Sequence, residues 1–367
     1  MLHPDRALLL IIVQRSSRAL TGVIALYRRS WARAVLYGKE LRDKPRTWLR
    51  PLPWFCGLHH PLLCVVALAS VVCSAPAESR TSPRLSFRLV HQFAIIVPVF
   101  VNESGPYDFL LDTGANSSTV DLELGQKLGL ELKAGETVRT LVRQKPVGWA
   151  VARTITVGPI TATHLPLLVR DLVGVHKLDP AIRGVLGQDT LNGADYLIDY
   201  GHRRLEFDGD GDLLRSLAGR HTPFTRLSTP GNSAAGALVI RAAVVDGSPR
   251  IRNLLLDSGT ASLVLFAESA AGSSASFGGL LQDDEGEQQP TELRHVQLQI
   301  ADREWDLFAN SLVFYESKLE INGLVPTSIF LRLYISNSGG FVILSPKVRG
   351  RSFLIGVLST IGGGSGS

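Results

Sequence analysis

From residue 85 to residue 346 the chain runs as short apolar stretches rich in β-branched residues, punctuated by Gly, Pro, Asn and Asp. That pattern predicts many strands and few helices. Residues 87–90 and 94–101 read as strands, 102–106 as a turn, and the next apolar run as a strand that ends at Asp112. Residues 122–130 space their apolar positions as a short helix does. Residues 138–152 place Arg139, Arg143, Lys145, Pro146, Gly148 and Trp149 between apolar flanks, which predicts a hairpin. Strands are expected at 154–157 and 165–169, then a Gly-apolar-apolar-Gly segment at 184–187, then a hairpin from 194–200 and 203–207.

The order then repeats. Residues 237–245 predict a strand and 246–249 a turn, and another apolar strand runs into Asp257. Gly323 follows Asp257 by 66 residues, as Gly184 follows Asp112 by 72, so residues 323–326 take the place of 184–187. Pro326 stands where the first half has Gly187, and a local change in backbone pairing is expected there because proline has no N–H. Residues 278–290 are acidic with no apolar strand pattern, so a solvated loop is expected at the position equivalent to the first hairpin. Residues 341–344 close the second half as a strand.

Charge is unevenly placed. Of the chain's 38 Lys+Arg and 33 Asp+Glu, residues 1–77 hold 11 and 3, a net +8, which leaves 27 − 30 = −3 for residues 78–367. The body is near neutral, and nothing in it argues for nucleic acid as a partner. All three cysteines, Cys56, Cys64 and Cys73, lie in the leader. The body therefore has neither disulfides nor a thiolate nucleophile.

Residues 1–57 form a basic extension in which short apolar runs alternate with arginines, a pattern suited to a membrane surface but with no run long enough to span. Residues 58–77 carry an apolar core of signal-peptide length followed by Ala75 and Ala77, so cleavage there and export to a periplasmic or extracellular space are expected. Contact with a membrane is expected only through this leader, if it stays uncleaved. Residues 348–367 end in Gly and Ser and read as a flexible tail. Histidines are scattered, no metal site or cofactor is expected, and residues 208–212 read as an acidic turn because they lack a full calcium-ligand run. No Gly-x-Ser-x-Gly elbow is present.

Chemistry concentrates in two stretches. Asp112-Thr113-Gly114 and Asp257-Ser258-Gly259 each follow three apolar residues, 145 positions apart. A half-buried carboxylate at a strand end is tuned between burial, which raises its pKa, and turn N–H groups, which favour its ion. Two such groups face to face share a proton and can act as acid and base on one water. Thr260 follows the second triplet where Ala115 follows the first. Its hydroxyl is expected to donate towards Asp257, so that Asp257 ionises more readily and Asp112 holds the proton.

With their matched surroundings, these residues resemble the aspartic proteases, in particular the retropepsin-like branch. The resemblance covers about residues 85–346 and implies an all-β, bilobal acid-protease fold. It has two β-barrel lobes, at 85–212 and 220–347, with a cleft between them. Asp112 and Asp257 are then the catalytic pair, Gly114 and Gly259 allow close backbone approach, and the Thr113 and Ser258 hydroxyls cross-link the two loops. The hairpin at 138–152 resembles a flap, with Val147, Gly148 and Trp149 as substrate-contact candidates; Trp149 packed on its own lobe is the equal alternative. The implied activity is hydrolysis of a polypeptide by a monomeric pseudo-dimer that needs no cofactor. Its rivals are a homodimer pairing like lobes and a catalytically silent peptide-binding module.

Overall fold

The computed structural model describes residues 6–7, 11–13, 82–139, 144–229, 232–267, 277–283, 286–313 and 321–348. The chain divides into two compact units, residues 1–15 with 82–367 and residues 16–81, and all described residues belong to the first. The signal-like segment and the tail beyond Val348 lie outside the described residues. Among the described residues no helix is long and apolar enough to cross a membrane, which says nothing of membrane β-barrels.

The fold is nearly all β, and two halves repeat one wiring scheme. In the first half, Ala94–Val101 and Ser104–Leu111 form a hairpin whose turn residues Asn102 and Glu103 both have positive φ. Thr119–Asp121 leads into the helix Leu122–Lys127. Ile182–Leu186 then inserts between them, parallel to Ser104–Leu111 and antiparallel to Thr119–Asp121. The second half inserts Gly323–Pro326 in the same way, parallel to Ser248–Asp257 and antiparallel to Leu263–Ala267. Close packing at these inserts requires glycine: a Cβ on Gly184 would sit 2.2 Å from the Phe109 ring, and one on Gly323 2.1 Å from the Val264 carbonyl oxygen.

Each half also carries a long hairpin. The first pairs Lys133–Arg139 with Gln144–Val157. The second pairs Phe277–Asp283 with Gln288–Ile300, where the sequence predicts a solvated loop. That expectation is corrected: Gln288–Ile300 is also held by Arg303–Val313 and Asn232–Asp246, so sheet neighbours supply what local propensity lacks. The turn of this hairpin reaches the other half, where Lys177 Nζ on the helix Val173–Leu178 donates to the Gly286 carbonyl at 3.4 Å.

Pro326 does not disturb the ladder. Leu254 to Asp257 pair in unbroken register with Gly323 to Pro326. Its missing N–H has a counterpart in the first half, where the Gly187 N–H donates to Ser118 Oγ, a bond that Pro326 has no donor to make. Within the basic extension, Arg6–Ala7 and Ile11–Val13 are short strands added to the two long hairpins.

One ladder joins the halves. Arg84–Ser86, Arg204–Phe207 and Tyr196–Asp199 from the first half continue through Arg332–Ser336, Phe341–Leu344 and His221–Thr229 from the second. Leu197 lies opposite Tyr334 across the joint. Side chains reinforce it: the Asp195 carboxylate accepts from the Ser336 and Ser338 hydroxyls and the Ser338 N–H, and Asn337 Nδ2 donates to the Leu191 and Ala194 carbonyls. Apolar residues of both halves, from Phe109 and Leu111 to Leu254 and Leu256, belong to one buried core.

Candidate active site

Asp112 and Asp257 end equivalent central strands. Their backbones are locked by the inserted strands, Asp112 N–H donating to the Leu186 carbonyl and Asp257 standing opposite Pro326. The loops that follow meet face to face. A Cβ on Gly114 would lie 2.7 Å from Asp257 Cγ, so only glycine lets the first loop pass the second carboxyl group.

The cross-link between the loops is reciprocal. Thr113 Oγ1 donates to the Leu256 carbonyl at 2.8 Å and accepts the Ser258 N–H at 3.1 Å; Ser258 Oγ donates to the Leu111 carbonyl at 2.7 Å and accepts the Thr113 N–H at 3.0 Å. Four hydrogen bonds thus fix the spacing of the two acids. All their partners are buried, where an unpaired group is costly.

Each carboxylate is fed from its own loop. Asp112 Oδ1 accepts the Gly114 N–H at 2.8 Å, and Asp257 Oδ1 accepts the N–H groups of Gly259 at 2.7 Å and Thr260 at 3.1 Å. The opposite oxygen, Oδ2, is buried on both residues with no protein donor among the described residues. Both side chains are 0% exposed. Burial pushes Asp112 up to about 7, against the pull of the Gly114 N–H and of the neighbouring Asp257 side chain. Burial and the neighbouring Asp112 charge push Asp257 well above the ordinary carboxylate range. A second negative charge cannot readily be added beside the first, so the pair retains a proton at neutral pH.

The asymmetry expected from Thr260 is corrected. Its hydroxyl turns away and donates to the Ser262 carbonyl at 3.3 Å, leaving only its backbone N–H to Asp257. The Thr260 hydroxyl therefore does not distinguish the two acids, which share their proton as a pair.

Of the hairpin candidates, Val147 packs against the cluster that holds Ala115 and Leu168, and Gly148 backs onto the Val169 carbonyl. Trp149 is half-buried under Lys133, whose Nζ stands 5.2 Å from the ring centroid, so it packs on its own lobe. Sequence reasoning missed two supports of the first loop. Gln188 Nε2 donates to the Thr113 carbonyl, and Asn116 Oδ1 accepts the Ala237 N–H of the second half at 2.6 Å. Gln188 sits directly after the Gly187 that closes the motif, and Asn116 lies inside the loop itself. Among the described residues no His/Cys/Asp/Glu cluster suits a metal ion.

Two halves of one wiring thus bring an acidic pair together. Residues 97–190 match the family model described as aspartyl protease. Among solved structures, conglutin gamma from lupine seeds, a basic 7S globulin, is 11% identical over 71% of this chain and 94% of its own, with a TM-score of 0.39. The basic 7S globulin from soybean is 13% identical over 72% and 96%, with a TM-score of 0.42. No curated protein matches the chain by sequence.

Proposed function

We propose that the chain is an aspartic endopeptidase in which one polypeptide supplies both halves of the dyad. The observation that supports this best is the pair of buried Oδ2 atoms without protein donors, on two carboxyl groups held side by side by the Thr113–Ser258 cross-link. A water bound between them gives its proton to the ionised member of the pair as its oxygen attacks the scissile carbonyl. The other member, carrying the shared proton, donates to the carbonyl oxygen. Backbone donors at both Oδ1 atoms hold the carboxylates in plane while charge shifts between them. The substrate is a polypeptide laid in the cleft between the lobes.

Purified protein incubated with casein across pH 3–8 tests the reading, with full-chain Asp112→Asn and Asp257→Asn as controls. Cleavage by the parent and its loss in both variants is the expected outcome. Equal cleavage by parent and variants would sink it, as would none by a parent freed of its leader, which is what a silent binding module gives.

A further inference from the structure

One strand of the ladder that joins the halves carries two tyrosines whose hydroxyls reach towards both acidic loops. Tyr196–Asp199 pairs with Arg332–Ser336 of the second half, and the Tyr200 N–H continues the pairing to the Leu331 carbonyl. Alternation along a strand puts Tyr196, Ile198 and Tyr200 on one face. That face enters the common core with Leu186, Leu256 and Val325, while Leu197 on the other face packs with Tyr334. A buried phenol needs a polar neighbour for its hydroxyl.

The two hydroxyls find theirs at equivalent places. Each inserted strand is followed at once by a short turn, Gln188–Leu191 after Ile182–Leu186 and Thr327–Ile329 after Gly323–Pro326. Each turn opens on a polar residue with no exposure, Gln188 in the first half and Thr327 in the second. Tyr200 Oη lies 2.6 Å from Thr327 Oγ1, and the Tyr196 hydroxyl has the Gln188 side chain as its neighbour. A strand covers about 13 Å in the four steps from Tyr196 to Tyr200, so one stretch of backbone serves both turns.

From the turns the contacts lead on to the acids. Gln188 Nε2 donates to the Thr113 carbonyl in the first acidic loop, and Thr327 directly follows Pro326, the register partner of Asp257. Burial, and behind it the Asp257 charge, push the Tyr200 phenol up against the pull of Thr327, so this hydroxyl lies within the field of the second acid. The first turn is also clamped from the second half, where Asn337 Nδ2 donates to the Leu191 carbonyl.

We propose that Tyr196 and Tyr200 are positioning residues for the acidic pair: they prop the turns behind both acidic loops from one strand of the joint, so that the joint sets the spacing of Asp112 and Asp257. The catalytic consequence rests on the protease reading, and the effect on the shared proton does not. Two carboxyl groups share a proton only at close range, and a small relaxation of either loop weakens the sharing. The upper titration of the pair then falls and the lower one rises. Tyr196 stands among Gln188, Arg226 and Asp195, and Tyr200 among Thr327, Asp257 and Tyr196. Burial holds both phenols above their ordinary value, so they stay neutral while the acids titrate, and removing a hydroxyl removes no charge.

The test uses the full chain with Tyr200→Phe and Tyr196→Phe, which keep each ring in the core. Isotope-labelled aspartate follows the carboxyl titrations by NMR, and a peptide spanning a casein bond that the parent cuts gives kcat and KM. In Tyr200→Phe the gap between the two titrations of the pair should narrow by roughly one unit. Its kcat should fall roughly tenfold, less than an ångström of misplacement can bring, with KM within roughly twofold of the parent. Tyr196→Phe should move both readouts the same way. Thr327→Val should reproduce the effects of Tyr200→Phe, and Thr327→Ser, which keeps a hydroxyl, should recover most of each. A lower melting temperature with unmoved titrations and unmoved kcat would make the tyrosines props of stability alone and overturn the proposal, while cleavage by the parent keeps the protease reading. A narrowed gap with no cleavage by the parent would sustain the positioning and overturn the protease reading.

Discussion

Replacing Asp112 by Asn should stabilise the chain at neutral and alkaline pH while leaving it little changed in acid. The folded pKa of Asp112 is raised from 3.8 to about 7. Below about pH 4 the carboxyl is protonated in folded and unfolded chains alike, so it costs nothing by ionisation. Between about pH 4 and 7 the unfolded chain releases the proton and the folded chain keeps it, so stability present in acid is lost as pH rises through that window. Some three units at 1.36 kcal/mol each amount to about 4 kcal/mol. Asparagine never ionises, keeps an oxygen for the Gly114 N–H, and relieves the charge that Asp257 feels. Thermal melts of parent and Asp112→Asn at pH 4 and pH 8 measure the difference. It should widen in favour of the variant by about 8–16 °C, taking 2–4 °C per kcal/mol for a body of this size. A difference that stays constant from pH 4 to pH 8 would refute the reasoning, because burial would not then be holding the proton on.

Two further substitutions probe the frame around the site. Thr113→Val keeps the shape but strands the Leu256 carbonyl and the Ser258 N–H, so a loss of about 2–4 kcal/mol is expected in urea unfolding; a change below 0.5 kcal/mol would mean the cross-link is not holding the loops. Asp195→Ala removes three hydrogen bonds from the joint between the halves and should lower the urea midpoint. If the halves unfold together, fluorescence and circular dichroism should shift by the same amount; an unmoved midpoint would show that the backbone ladder alone carries the joint.

Much of the site is legible in the sequence because its signals are local. Asp112-Thr113-Gly114 and Asp257-Ser258-Gly259 follow apolar strands directly, and the 184–187 segment announces the strand that inserts behind them. What escapes is decided by groups far apart in the chain. Nothing near Leu197 points to Tyr334 as its neighbour across the joint. Residues 277–283 look unfit for a strand until Gln288–Ile300 pairs with them. The Thr260 hydroxyl goes to the nearest good acceptor, the Ser262 carbonyl, a choice that depends on how the loop bends rather than on which residues it contains.

The ladder that runs from Arg84–Ser86 through to His221–Thr229 restricts how anything can get in. A floor stitched by main-chain bonds from both sides does not gape like a clam, because parting it would sever several bonds at once. Elsewhere the halves also meet where Lys177 donates to the Gly286 carbonyl, a single exposed bond that breaks far more easily than the ladder. Any loosening of one half against the other would then begin at that contact, and changes at Lys177 or Gly286, remote in sequence from either acid, would alter it while leaving the ladder whole.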